Sequence, residues 1–301
     1  MNVVSYFDGY SSGNIALDRL GIEFDNYFAY EIEQAPINIT QRNYPNTKQM
    51  GSVVDADLSL IPRDKEILLI GGSPCQGFSI AGKKLNFEDE RSKLFFEFVR
   101  AKKELNPTYF FLENVRMPDN IADAIDELMG VKRQFVNSVC FTGHIRKRYY
   151  WTNLPLAELP KNDIKIKDVI DLELPFDKDM NFFLSRTPYS PTTSGDGIIT
   201  INPKDNNGKQ TWQRGRVYDI NGNCPTICAS LFDLNITKNH KYYRKLTINE
   251  CEALQGVPKD YTKGVNKNDR GKMLGNGWNI DTVMHFFTKI ALKKLKSEGE
   301  K

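Results

Sequence analysis

Short apolar runs alternate with helical patterns through the first half of this chain, and that alternation leaves few folds open. Val3-Val4-Ser5-Tyr6-Phe7 reads as a strand that meets Gly9. Ile15 to Leu20 reads as a helix, and Gly21 stands where glycine ends helices in a left-handed conformation. Tyr27-Phe28-Ala29-Tyr30 is a second strand ending at Glu31, and Gln34 to Asn43 is helical up to Pro45. Ile67-Leu68-Leu69-Ile70 is a buried strand that stops at two glycines. Leu94, Phe98, Ala101 and Leu105 keep helical spacing, with Lys102 and Lys103 suited to a helix C-terminus. Tyr109-Phe110-Phe111-Leu112 is a strand ending at Glu113, Ile121 to Met129 a helix, and Phe135-Val136 the start of another strand. Alternation of this kind predicts an α/β chain with a doubly wound, mostly parallel sheet and helices on both faces.

The pattern breaks after about Trp151. From Leu154 to Tyr243 the chain is polar and turn-rich, as in Ser194-Gly195-Asp196-Gly197, and reads as a smaller, irregular, partly β module. Helical character returns at Thr247 to Leu254 and from Asn279 to Leu295, before a charged tail.

With 301 residues, 40% apolar and 26% charged, the chain can bury a large core. A net charge of +3 is too mild to identify a nucleic-acid partner by itself. Five cysteines, odd in number and widely spaced, argue against a disulfide framework and for a reducing compartment. No signal-peptide pattern opens the sequence, and no apolar run nears the roughly 20 residues that span a bilayer. A cytoplasmic protein is the expectation.

Chemistry gathers where strands end. Gly71-Gly72-Ser73-Pro74-Cys75-Gln76-Gly77-Phe78-Ser79 follows a strand, so Cys75 emerges at a carboxyl edge, where ligands of open α/β sheets bind. A cysteine taken alone is more often a small buried hydrophobe. Glu113 ends another strand at the same edge and suits a general acid, or is a plain surface carboxylate. Phe7-Asp8-Gly9, with Gly13, is a glycine turn before a helix, fit for a cofactor loop or an ordinary tight turn. Glu31 ends the second strand, where an acidic residue can bind ribose hydroxyls. His144, His240 and His285 lie far apart, without partners at metal spacing, so no metal site is inferred. Arg146-Lys147-Arg148-Tyr149-Tyr150-Trp151 sets three cations beside three aromatics, a solvated strand or a nucleic-acid contact.

Together these pieces resemble the cytosine-C5 DNA methyltransferases over residues 2–153 and 244–290. The motifs stand in family order: Phe7-Asp8-Gly9, Ser73-Pro74-Cys75-Gln76, Glu113-Asn114-Val115, Arg146-x-Arg148, Leu254-Gln255-Gly256-Val257-Pro258 and Gly275-Asn276-Gly277-Trp278. The last motif and the short variable region look most like phage and prophage members.

The resemblance implies a Rossmann-like methyltransferase fold, with 1–153 a catalytic and cofactor-binding domain, 154–243 a target-recognition domain, and 244–301 a return to the first. It implies S-adenosylmethionine as methyl donor, held by Phe7, Asp8, Gly9, Glu31, Ile32, Ser52, Val53, Pro74, Leu94, Asn276, Gly277 and Trp278. Ser52 departs from the family's usual aspartate, so either it or Asp55 would reach the adenine. Cys75 would be the nucleophile, Glu113 the proton donor holding the base edge, and Arg148 the contact to O2. Arg146 would complete the catalytic set through a phosphate or loop contact. Gln76, Ser79, Lys83, Gln213, Arg214, Arg216 and Thr226 would meet DNA, with Gln213 filling the gap left by a flipped base. Residues 77–91 would form the loop closing over that base. The partner is duplex DNA, met by a monomer, with a cognate restriction endonuclease as an optional companion and no metal or membrane. Two other readings compete: an RNA methyltransferase of the same fold, and a DNA-binding protein without catalysis.

Overall fold

The computed structural model describes residues 1–74 and 90–299, with side chains for all of these except 90–92 and 294–299. It divides into two compact units: residues 1–136, 147–158 and 282–301, and residues 137–146 and 159–281.

The first unit is built on a seven-stranded sheet. Its elements are β1 (Asn2–Tyr6), α1 (Ser12–Arg19), β2 (Asn26–Tyr30), α2 (Gln34–Asn43), β3 (Lys48–Gln49), β4 (Ile67–Gly71), α3 (Glu90–Leu105), β5 (Tyr109–Val115), α4 (Asp119–Met129), β6 (Gln134–Asn137) and, after a break, β7 (Lys147–Thr152). The strand order is β3-β2-β1-β4-β5-β7-β6. From β3 to β5 the neighbours are parallel, and β7 runs antiparallel to β5. The doubly wound α/β sheet read from the sequence is therefore present, with one reversed strand near its edge.

Both faces of this sheet are covered, which is why its strands are apolar throughout rather than alternating. Val4, Tyr6, Leu69 and Leu112 pack with Phe95 and Phe98 of α3 and Ile121 and Ile125 of α4. On the other face, Phe111 meets the rings of Phe286 and Phe287, both fully buried. α1 lies against that same face at Gly13, where an added Cβ would fall 2.3 Å from Ile70 Cδ1 and 2.7 Å from the Tyr27 hydroxyl. Any larger residue would push both side chains aside. Gly21 ends α1 with φ +61, as its position predicts.

The second unit holds α5 (Val139–Thr142), β8 (Lys178–Asp179), α6 (Asn181–Leu184), β9 (Thr192–Thr193), β10 (Ile199–Thr200), β11 (Val217–Asp219), β12 (Asn235–Thr237), β13 (Tyr242–Lys245), α7 (Ile248–Leu254) and α8 (Lys267–Asn276). Its six strands form one sheet in the order β8-β13-β12-β11-β10-β9, around a small core of Met180, Ile201 and Val217. α9 (Ile280–Gly299) begins in this unit and continues in the first.

α7 opens on a capping box. Glu250 N–H donates to Thr247 Oγ1 at 3.3 Å, and Thr247 N–H donates to Glu250 Oε2 at 2.8 Å. α8 is absent from the sequence reading because glycines and charges interrupt its apolar pattern. Gly271 and Gly275 have a packing reason: an added Cβ would fall 2.0 Å from the Phe232 ring and 2.1 Å from Ala229 N, respectively. Among the described residues, no helix is long and apolar enough to cross a membrane.

Candidate active site

Register brings the expected site residues of the first unit to one edge. Tyr6, the last residue of β1, is paired with Tyr30 at the end of β2 and with Gly71 at the end of β4. Gly71 in turn faces Leu112 of β5, and Val115 faces Arg148 of β7. The glycine turn, Glu31, the Ser73-Pro74 segment, Glu113 and Arg148 thus leave the sheet on the same side. Glu113 does not end its strand as the sequence suggested. β5 runs on to Val115, because Glu113 is paired with Tyr150 of the reversed strand.

Glu113 is 7% exposed. Arg148 Nε stands 2.8 Å from its Oε1. The approach is an ion pair without hydrogen-bond alignment, so Oε1 is buried with no hydrogen bond made. Arg148 also donates through Nη1 to the Lys147 carbonyl at 2.9 Å. The guanidinium lies against the carboxylate.

Asn114, the next residue, points the other way and donates to Ser73 twice, to the carbonyl at 3.2 Å and to Oγ at 3.0 Å. Ser73 is 5% exposed, whereas Pro74 is exposed. One buried amide therefore fixes the backbone two residues before Cys75. Cys75 itself, Gln76, Ser79, Lys83 and the loop over 77–89 lie outside the described residues.

Arg146, two positions before Arg148, belongs to the second unit and is 2% exposed. Its guanidinium donates to the carbonyls of Gly275 and Asn276 at 3.3 Å. It holds the carbonyl end of α8 and is buried there.

The glycine turn carries backbone in left-handed conformations, φ +58 at Phe7, +57 at Gly9 and +66 at Ser11. For a phenylalanine that conformation is costly and persists only where its surroundings enforce it. An added Cβ at Gly9 would meet nothing within 4 Å, so the backbone there is open to a ligand's approach. Glu31 accepts the N–H of Gly9 at 2.8 Å on Oε2, and those of Ile32 and Glu33 at 2.7 and 2.8 Å on Oε1. Its first task is to tie the turn to the end of β2. Asp8 is buried, and its Oδ1 accepts the Tyr27 hydroxyl at 2.8 Å. Desolvation pushes the Asp8 carboxyl up to about 6, against opposing hydrogen bonds from Ser5, Ser11 and Tyr27.

Other expected cofactor residues divide by exposure. Ile32 is 74% exposed beside Glu31, whereas Val53 is buried in the core. Ser52 is exposed and its Oγ accepts the Val54 N–H at 3.0 Å, a local turn. Asp55 is exposed with φ +54. Leu94 packs partly buried against the core. Asn276 is the last residue of α8 in the second unit and is exposed; Gly277 and Trp278 follow it, with Trp278 buried.

In the second unit, Gln213 and Arg214 lie on a short 3-10 turn, Gln213–Gly215. Arg214 is exposed and donates to the Ser230 carbonyl at 3.0 Å. Arg216 is tied to Thr211 O and Gln210 Oε1 at 3.0 and 2.8 Å, and Thr226 Oγ1 donates to the Ile145 carbonyl at 2.7 Å. The side chains of Arg216 and Thr226 are thus held by the protein itself.

The model of the family described as C-5 cytosine-specific DNA methylase matches residues 1–120 and 146–292. The chain belongs to that family. The Type II methyltransferase M.Eco47II of Escherichia coli is 39% identical over 118 residues, which is 38% of this chain and 27% of that protein. The orphan methyltransferase M.Rho11sI of Bacillus phage rho11s is 36% identical over 118 residues, 38% of this chain and 23% of the relative. The chain thus spans about a quarter of the length of these two relatives. It is 29% identical over 294 residues to the Type II methyltransferase M.Bsp6I of Bacillus sp. strain RFL6, covering 87% of this chain and 89% of that one. The solved structure of the Entamoeba histolytica methyltransferase EhMeth superimposes with a TM-score of 0.71 at 15% identity, covering 98% of each chain. It shares the fold.

Proposed function

We propose that this chain transfers a methyl group to carbon 5 of cytosine in a specific sequence of duplex DNA, through a covalent adduct between Cys75 and the flipped-out base. The observation that carries the reading is the buried Glu113–Arg148 pair, at the sheet edge from which the Ser73-Pro74 segment leads to Cys75.

Carbon 5 of cytosine is a poor nucleophile because its electron density is tied into the ring. Addition of the Cys75 thiolate to carbon 6 breaks that conjugation and leaves an enamine. Glu113 holds the N3 edge of the base and gives it a proton as charge builds. Arg148 holds the Glu113 carboxylate in position and brings a fixed positive charge to the base. Loss of the carbon 5 proton and elimination of Cys75 complete the cycle. The target carbon is stacked in a duplex, so the base must leave the helix before any of this occurs.

The residues of the glycine turn fit S-adenosylmethionine. Gly9 leaves its backbone open to a ligand, and Glu31, fixed by three N–H groups, has one lone pair left, on Oε2, for a ribose hydroxyl. When bound, the cofactor supplies an electrophilic methyl group to the activated carbon. Asp8, Ile32, Ser52 and Val53 complete the proposed contacts of the first unit. Residues 154–243 act as the target-recognition region, with Gln213 and Arg214 on its DNA-facing surface.

The test is incubation with labelled S-adenosylmethionine and mixed-sequence duplex DNA, followed by bisulfite sequencing. 5-Methylcytosine at one recurring sequence supports the reading. Its absence from every sequence, or methylation of competing tRNA instead, overturns it.

A further inference from the structure

Trp212 is 86% exposed, more than any other large hydrophobic side chain among the described residues. The backbone beneath it is fixed from two sides. Asn202, fully buried, donates to the Gly215 carbonyl at 2.7 Å and accepts the Val217 N–H at 2.8 Å. Asn235, 5% exposed, donates to the carbonyls of Arg214 and Arg216 at 3.1 and 3.2 Å. Just before the indole, Thr211 is buried and donates to the Asn202 carbonyl at 2.9 Å. Gly215 N–H closes the turn on the Trp212 carbonyl at 2.8 Å. The scaffold thus displays a large flat ring in water when its own core could have covered it.

Its surroundings say what the ring meets. Lys204, Lys209 and Arg214 are exposed on the same segment. Its one acid, Asp205, is occupied with the backbone N–H groups of Asn207 and Lys209, both at 2.9 Å. A shallow hollow of about 270 Å³ lies beside the indole, lined also by Gln213, Arg214, Cys228, Ser230 and Leu231. Cations track a phosphate backbone, and an exposed aromatic among them offers a face to any base, because every base has a π surface.

We propose that Trp212 is a base-stacking residue of the DNA site, whose indole packs on a nucleobase exposed when the duplex opens. This rests on the reading that the chain acts on duplex DNA. It assigns to Trp212 the contact that the sequence pattern gave to Gln213. The backbone that carries the ring is already ordered, which lowers the ordering cost of binding.

The test compares binding of a fluorescein-labelled mixed-sequence duplex with binding of the same duplex carrying one abasic sugar. Stacking into an already opened step avoids the unpairing cost, so the wild-type chain is expected to bind the abasic duplex several-fold more tightly. Trp212→Ala is expected to weaken binding to it roughly tenfold and to erase the preference, while Trp212→Phe, which keeps a stacking face, retains most of both. Trp151 and Trp278 are buried, so DNA should quench indole emission in the wild type and not in Trp212→Phe. Wild-type affinities for both duplexes in Trp212→Ala would overturn the proposal. So would quenching by a stem-loop RNA and not by duplex DNA. Methyl transfer measured on the same preparations separates the claims: a wild type that methylates DNA with a Trp212→Ala variant unchanged in binding leaves the function standing and removes this residue from it.

Discussion

Arg148 and Glu113 meet at 2.8 Å because they are diagonal neighbours on one face of an antiparallel pair. Val115 faces Arg148 across β5 and β7, and Glu113 shares a face with Val115 two residues before it. Strand reversal is therefore what makes the site. A parallel β7 would bring its far end, rather than Arg148, to this edge.

Removing one member of that pair leaves the other buried and uncompensated. Arg148→Ala is expected to lose methyl transfer by more than about 100-fold and to cost about 3 kcal/mol of stability. The double variant Glu113→Gln/Arg148→Met, with no charge to strand, should recover much of the stability and none of the activity. Chemical denaturation and a methyl-transfer assay, run on both variants, check the separation.

Asn114→Ala removes both bonds to Ser73 and leaves the buried Ser73 carbonyl without its donor. A loss of about 1–3 kcal/mol is expected from the unsatisfied group. The backbone before Cys75 then loses its anchor, so kcat should fall about tenfold or more while KM for DNA changes little. Steady-state kinetics distinguish this from a binding defect.

Asp8 sets a pH dependence of stability whose sign follows from its raised carboxyl. A shift from 3.8 to about 6 means that the folded state binds this proton more tightly than the unfolded chain. The stabilising contribution is complete below about pH 4 and is lost as pH rises through about 6, a change on the order of 3 kcal/mol. Asp8→Asn has no proton to lose and can still accept the Tyr27 hydroxyl. Its unfolding free energy should exceed that of the wild type at pH 8, and the difference should vanish near pH 4. Urea titrations at the two pH values measure this.

Gly275→Ala places a Cβ against backbone atoms of Cys228 and Ala229 at 2.1–2.6 Å, where nothing flexible can give. A loss of about 3 kcal/mol is expected. Gly215→Ala is the control, since nothing lies within 4 Å of its added Cβ and its φ is not positive. Thermal melts of the two variants should differ by several degrees.

The sheet was legible because its strands are apolar on both sides and its helices end on glycines and lysines. The edge where chemistry gathers was legible because β1, β2, β4 and β5 each lead within two residues into a glycine or a charged side chain. Two features were not. α8 hides because Gly271 and Gly275 are required by contacts with residues about 40 positions earlier, and no local pattern reports them. Arg146 and Arg148 look equivalent in sequence, yet only the strand pairing shows that one guanidinium meets a carboxylate and the other two carbonyls. Signals of packing are periodic and local, whereas the partner of a buried charge is set by tertiary contact.

Covalent capture tests the central claim most directly. The wild-type chain, S-adenosylmethionine and mixed-sequence duplex DNA containing 5-fluorocytosine are mixed and run on a denaturing gel. Fluorine at carbon 5 cannot leave as a proton does, so a working nucleophile stays attached to the base. A slow-migrating protein–DNA species is expected with the wild type and none with Cys75→Ala. No such species with the wild type, or an equal yield with Cys75→Ala, would contradict the account.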